Sequence, residues 1–295
     1  MDRLQGGGMT MMAMIETESA WTPPSATLEL REGLWQPRSI TKVSYPEHGN
    51  DVCLQVEDTS YWFAHRNDCI LAILERFPPG GTFYDIGGGN GFVALGLQKA
   101  GMDVALLEPG SGARNARARG LNNVIWSTLE DAGFRHGTLP AAGAFDVVEH
   151  IEDDAAFLAA IRQHLQPGGR FYCTVPAGPA LWSDEDIHAG HYRRYTTDTL
   201  SAALSQAGFE VEFVTYFFSW LIPLVFTLRT LPFRLRGNRA QQRGAVQAVK
   251  NDHTLPWPLR APVSLVHAWE LSRLRTGRQV SFGTSLLCVA RTPHH

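Results

Sequence analysis

The feature that most constrains this chain is a glycine-rich turn set between two regular segments. Residues Asp85-Ile86-Gly87-Gly88-Gly89-Asn90-Gly91 close a short apolar run, Thr82 to Ile86. A helical pattern through Phe92, Val93, Leu95 and Leu97 follows and ends at Gly101, and a second apolar run spans Asp103 to Leu107. Strand, glycine turn, helix, strand is the opening of a doubly wound α/β sheet. Glycines at 87, 89 and 91 allow positive backbone angles and carry no side chains, so a ligand can lie against the turn and the following helix N-terminus.

The alternation extends in both directions. Upstream, Trp62, Cys69, Ile70, Ile73, Leu74 and Phe77 recur at three- and four-residue spacing, which predicts a helix over Ser60 to Phe77, stopped by Pro78-Pro79-Gly80-Gly81. Downstream, Gly143 to Val147 reads as a strand end, Asp153 to Leu165 as a helix stopped by Pro167-Gly168-Gly169, and Arg170 to Val175 as a strand. Thr197 to Ala207 is a helix, Phe209 to Tyr216 a strand, and Phe282 to Ala290 a late β-rich segment that completes the sheet. More than sixty residues separate the last two, too many for an ordinary loop, so the interruption has structure or work of its own.

At 295 residues, 44% hydrophobic and 19% charged, the chain can bury one large core. It divides into a mobile extension (1–27), an N-terminal cap and lid helix (28–80), a ligand-binding core (81–216 with 280–292) and an apolar and basic insertion (217–279). The net charge of -3 gives no general drive toward nucleic acid. It hides an asymmetry, because residues 229–278 carry ten Lys/Arg and two Asp/Glu, leaving sixteen against twenty-seven elsewhere. Cys53, Cys69, Cys173 and Cys288 form no CxxC pair, and Met9 to Met14 lacks the flanks of a secretory signal, so a reducing cytoplasm is expected.

Three features sharpen the glycine turn. Asp85 leads it, Phe92 stands where a dinucleotide fingerprint wants glycine, and Glu108 ends the second strand. A carboxylate at 108 can accept both ribose hydroxyls of an adenosine, and an acid at 85 suits a positively charged ligand. Over residues 60–215 the sequence resembles the class I S-adenosylmethionine-dependent methyltransferases. The resemblance rests on Asp85 to Gly91, Glu108, the segment Phe145-Asp146-Val147-Val148-Glu149-His150-Ile151-Glu152-Asp153-Asp154, and the segment Gly190-His191-Tyr192-Arg193-Arg194-Tyr195.

It implies an α/β, doubly wound Rossmann-like methyltransferase sheet with an N-terminal helical lid, to which this chain's own interruption adds a helical, basic insertion before the last strand. It also implies S-adenosyl-L-methionine as cofactor. Asp85, Gly87 and Gly89 would hold its methionine portion, Glu108 its ribose, and Leu129 and Glu130 would flank its adenine. Phe145 and Asp146 would open toward the sulfonium, and Arg66 on the lid helix would pair with the cofactor carboxylate.

Methyl transfer from a sulfonium depends on alignment, and an oxygen acceptor also profits from a base or a metal. His150 lies just past the fourth strand, at the edge where open α/β sheets bind ligands. Glu149 and His150 with Asp153 or Asp154 could form a hard-metal or histidine–carboxylate site, although the two aspartates better suit a helix N-terminus, as a cap and a favourable dipole charge. His191 is the leading general-base candidate, with Asp186 or Asp184 to orient it. Arg193 and Arg194 could grip an anionic group, or anchor the loop; Trp182 and Tyr195 complete the expected substrate side.

Phe213 to Leu228 is nearly all apolar, and Arg229, Arg234, Arg236, Arg239 and Arg243 follow. The run is shorter than the ~20 residues a spanning helix needs and contains Pro223, so it suits peripheral membrane contact through 213–243, a substrate lid or a homodimer surface. The expected function is a methyltransferase acting on oxygen of a small-molecule, sugar or lipid-linked acceptor, with no nucleic acid partner. A non-catalytic cofactor-binding subunit is the alternative and a nicotinamide-dependent dehydrogenase the third choice.

Overall fold

The computed structural model describes residues 21–38, 54, 56–236 and 257–294. Within them, nine strands form one sheet in the order β1-β2-β5-β4-β3-β6-β7-β9-β8. The first strand of the glycine-turn unit, β3 (Phe83–Ile86), lies at its centre and pairs in parallel with β4 (Val104–Leu107) and β6 (Leu139–Phe145). β4 pairs with β5 (Asn123–Ile125), and β6 with β7 (Leu165–Pro176), also in parallel. β9 (Ser285–Arg291) runs antiparallel between β7 and β8 (Glu210–Phe217), so the late β-rich segment does complete the sheet.

Helices cover both faces, which is why β3 and β4 are buried at every position. On one face pack α1 (Tyr61–Arg76), α2 (Phe92–Lys99) and α3 (Gly112–Ala118), through Cys69, Ile70, Ile73, Val93, Leu97 and Ala116. On the other pack α4 (Asp154–His164) and, beyond the short α5 (Asp184–Ala189), α6 (Thr197–Gln206), through Leu158, Ile161, Leu200 and Leu204. Side-chain caps fix the starts of α1 and α4. The Ser60 hydroxyl accepts from the backbone N–H groups of Trp62 and Phe63, and Asp153 accepts from Ala156 N–H, so Asp153 has the capping role.

Three expectations shift. Residues 28–37 are not simply a cap: β1 (Leu28–Arg31) and β2 (Leu34–Pro37) form a hairpin that extends the sheet beyond β5. The strand expected to reach Val147 stops at Phe145, because Asp146 adopts φ 56° and a single 3-10 turn, Val148–His150, follows. Helix α4 ends before Pro167-Gly168-Gly169, which the long strand β7 absorbs beside an irregularity in its pairing with β6.

The apolar run of the interruption divides at its turn. Phe213 and Phe217 are buried in β8, and α7 (Leu221–Val225) then runs through a π-helical stretch, Phe226–Thr230, into α8 (Leu231–Arg236). A long helix, α9 (Trp257–Arg275), packs against α1. No helix among the described residues is long and apolar enough to cross a membrane. Residues 1–20 of the expected extension and 237–243 of the basic segment lie outside the described residues.

Candidate active site

The glycine turn and the acids that flank it gather at the carboxyl ends of β3, β4 and β6. Gly87, Gly89 and Gly91 take φ of 69°, 54° and 73°, in the left-handed region that L side chains rarely adopt. At Gly91, the residue preceding α2, a Cβ would also stand 2.7 Å from the Cβ of Ala116. The turn is therefore held close to α3 and cannot be widened by a side chain.

Asp85 is fully buried, and neither of its carboxylate oxygens meets a partner at good hydrogen-bonding geometry. Burial pushes its pKa up to about 7; Glu108 adds to the rise and Arg66 opposes it. Within the chain only the Arg66 charge and a backbone contact from Ala94 favour its carboxylate, so a buried acid beside a bare glycine turn is what a cationic ligand would further satisfy. Glu108 accepts from the backbone N–H of Gly89 at 2.9 Å and of Gly110 at 2.7 Å, which aims its carboxylate across the turn. The donor set and the glycine cradle fit S-adenosylmethionine: Asp85 near its charged methionine end, Glu108 for the ribose.

Arg66 points to the same edge, where its guanidinium donates to Asp146 Oδ2 at 2.6 Å and lies over the rings of Trp62 and Phe63. Thr174 of β7 donates to the other Asp146 oxygen. The structure thus gives Arg66 a protein carboxylate as partner rather than leaving it open for the cofactor's. Phe145 is buried against Phe83. Glu130 is exposed on the turn after β5, next to buried Leu129.

Beyond Asp146, three side chains converge. Glu149 and His150 of the 3-10 turn meet His191 from the segment after α5, and one ligand atom from each lies within 4.8 Å of the others. The two imidazoles sit edge to face, 4.7 Å between centroids. Burial, reinforced by His191, lowers the His150 pKa to about 4, so its ring is neutral at physiological pH. Glu149 is almost completely buried, and burial together with neighbouring Asp146 pushes its carboxyl well above the usual range.

His191 is oriented as a histidine–aspartate pair: its Nδ1 donates to Asp186 Oδ1 at 3.0 Å. Asp186 caps α5 by accepting from Ser183 N–H, and it also accepts from Arg194. Burial works against its charge, but the bonds from His191 and Arg194 prevail and hold its pKa below the ordinary value.

The arginine pair is committed within the chain. Arg194 joins Asp186 and the Ala177 carbonyl, while Arg193 joins Asp154 at 2.7 Å. Tyr195 is buried and donates to the same Asp154. Arg193 thus anchors the loop to Asp154 at the start of α4, while Arg194 braces it through Asp186 and the backbone at Ala177. Trp182 stands half-buried just before Ser183.

Two clusters have no local signal in the sequence. Glu57 accepts from Asn90 of the glycine turn and from Arg119, bracing the turn from outside. Glu270 of α9 lies fully buried; it accepts from Phe218 N–H, Ser219 N–H and the Ser219 hydroxyl, and faces His65 Nε2 at 2.7 Å. His267 stacks on His65 with centroids 3.6 Å apart. These partners are 33 to 205 residues apart, so no spacing rule could pair them.

Residues 62–213, just over half of the chain, match the family model of a methyltransferase domain. The chain belongs to that family and is a methyltransferase. Among solved structures, it resembles a chain of the complex between the Haloferax volcanii Trm112 methyltransferase activator and the putative methyltransferase. That match has 18% identity and a TM-score of 0.52, over 84% of this chain and 97% of that one. It also resembles Haemonchus contortus phosphoethanolamine N-methyltransferase 2 in complex with S-adenosyl-L-methionine, at 15% identity and a TM-score of 0.51. There the match covers 88% of this chain and 62% of that one. At such identities the likeness is one of fold. No curated protein matches the chain in sequence.

Proposed function

We propose that the enzyme transfers the methyl group of S-adenosylmethionine to a hydroxyl oxygen of a lipid-linked acceptor. The observation that carries this reading is the convergence of Glu149, His150 and Asp186-oriented His191 directly beyond Asp146, on the edge that faces the cofactor. A nitrogen acceptor needs no such apparatus, whereas a hydroxyl is a poor nucleophile until its proton is drawn away. His150 and His191 are the groups that activate it. The cleft aligns the hydroxyl behind the methyl group, the O–C bond forms as the S–C bond breaks, and S-adenosylhomocysteine leaves.

A lipid-linked acceptor is favoured over a free small molecule by the insertion. Leu224, Phe226, Leu228, Leu231 and Leu235 are exposed on the helical run after β8, and Leu265 and Trp269 on α9. This apolar surface is fastened to the acceptor side: the Thr230 hydroxyl donates to the Leu181 carbonyl, and Arg234 donates to that of Ala180. An acceptor carried in a bilayer could reach the histidines past that surface.

The test is a screen of hydroxyl-bearing lipid and sugar-lipid acceptors by transfer of labelled methyl. Replacement His191→Asn should lower turnover about 10²- to 10⁴-fold while leaving S-adenosylhomocysteine affinity nearly unchanged. Unchanged turnover in that variant, or transfer to amines alone, refutes the reading.

A further inference from the structure

We propose that Glu149, His150 and His191 together hold a divalent first-row transition-metal ion on the acceptor side of the cleft. One carboxylate and two imidazoles, from two segments of chain, place a ligand atom each within 4.8 Å of the others. Adjacent metal bonds of about 2.1 Å span roughly 3 to 3.5 Å between ligand atoms, so a small side-chain movement closes the set.

Two further observations point to a ligand there. Glu149 is 1% exposed, yet its Oε2 has no hydrogen-bond partner, an arrangement that costs free energy until something occupies it. His191 is already arranged as a metal-binding histidine: Asp186 takes Nδ1, fixing the tautomer and leaving Nε2 for an ion. Asp186 is itself fixed by Arg194 and by Ser183 N–H. The two segments are also tied through the backbone, since Tyr192 N–H donates to the Glu149 carbonyl at 2.8 Å.

Mixed nitrogen and oxygen donors select manganese, iron, cobalt or zinc over magnesium or calcium, which favour all-oxygen cages. Three protein ligands leave coordination positions open for an acceptor oxygen. This rests on the acceptor reading above and specifies how the hydroxyl is activated. Bound to the ion, the hydroxyl releases its proton to solvent water; its oxygen then attacks the methyl carbon while the S–C electron pair stays on sulfur. His191 acts as a ligand in this scheme, not as the base.

The experiment uses full-length protein stripped with a chelator and titrated with cobalt(II), followed by visible absorption, and with zinc(II), followed by calorimetry. The expected result is one ion per chain, with affinity at least tenfold lower in Glu149→Gln and in His191→Asn, each variant checked for retained S-adenosylhomocysteine binding. Asp186→Asn should weaken affinity 10- to 100-fold. No uptake by the wild type at millimolar metal, or equal affinity in the folded variants, overturns the proposal. Should those variants lose cofactor binding, proton spectra of the cobalt-loaded wild type decide: two shifted imidazole resonances support the site and none overturns it. Metal uptake without any hydroxyl acceptor would leave this site standing and the acceptor reading refuted. Loss of turnover in His191→Asn without metal uptake would do the reverse.

Discussion

Arg66 on α1 and Asp146 at the end of β6 form a 2.6 Å ion pair that ties the lid helix to the carboxyl edge of the sheet. The Arg66 side chain is only 11% exposed, and its Nε is already without a partner. Asp146→Asn would therefore leave a largely buried cation half-satisfied, and we expect it to cost on the order of 2 kcal/mol of stability and to weaken cofactor binding. Thermal melts with and without S-adenosylhomocysteine test this. An unchanged melting temperature and affinity would show the pair to be incidental.

Cofactor binding should depend on pH through Asp85. Its folded-state pKa of about 7 lies above the ordinary aspartate value of ~3.9. A raised carboxyl pKa contributes stability that is complete below the ordinary value and fades as pH rises through 7. A cationic cofactor prefers the carboxylate, so affinity should increase between pH 6 and 8, with protons released on binding near pH 6. Calorimetry in two buffers of different ionisation enthalpy measures that release, and Asp85→Asn should abolish it.

Glu108 should contribute affinity directly. Its carboxylate is 4% exposed and held by two backbone N–H groups, so its position is set before the ribose arrives. Glu108→Ala should weaken S-adenosylmethionine binding by about 1 to 3 kcal/mol. Binding of NADH in preference to S-adenosylhomocysteine would contradict the cofactor assignment outright.

The Glu270 cluster makes the insertion part of the lid. Burial alone would raise this carboxyl, but the His65 and Ser219 bonds prevail and hold its pKa below the usual range. A lowered carboxyl pKa contributes stability above the ordinary glutamate value of ~4.3 and loses it as pH falls. Glu270→Ala leaves Phe218 N–H, Ser219 and His65 unsatisfied in the interior and should cost about 3 kcal/mol or more. Glu270→Gln should flatten the acid limb of the stability profile; an unaltered limb would rule the cluster out as its source.

The exposed leucines of the insertion should bring the protein to bilayers. Co-sedimentation with acidic vesicles should exceed that with neutral ones and fall with salt, because exposed charges are screened over ~8 Å at physiological ionic strength. Leu228→Asp with Leu235→Asp should abolish it, both positions being well exposed. Equal partitioning with concentration-dependent dimerisation would instead make this face a contact between two copies of the chain.

How much was readable in advance divides along a physical line. What near neighbours govern stood in the sequence: the left-handed glycines of the turn, the three- and four-residue apolar spacing of α1, the cap at Asp153, and the alternation that makes a doubly wound sheet. The pairing of His191 with Asp186, five residues apart, was within reach for the same reason. Backbone sterics and helical periodicity act over a few residues, so residue order is enough to express them.

Only the tertiary structure decided which distant groups meet. Arg193 and Arg194 looked equally fit for an anionic substrate, and folding assigned them to Asp154 and Asp186. Residues 28–37 carry too short a pattern to mark a strand, because two four-residue strands are stable only against the waiting edge at β5. Arg66 found Asp146 across 80 residues and Glu270 found His65 across 205. Such pairs form because burying the sheet's two apolar faces brings their elements together, and a polar group carried inside with them must take whatever partner the packing supplies.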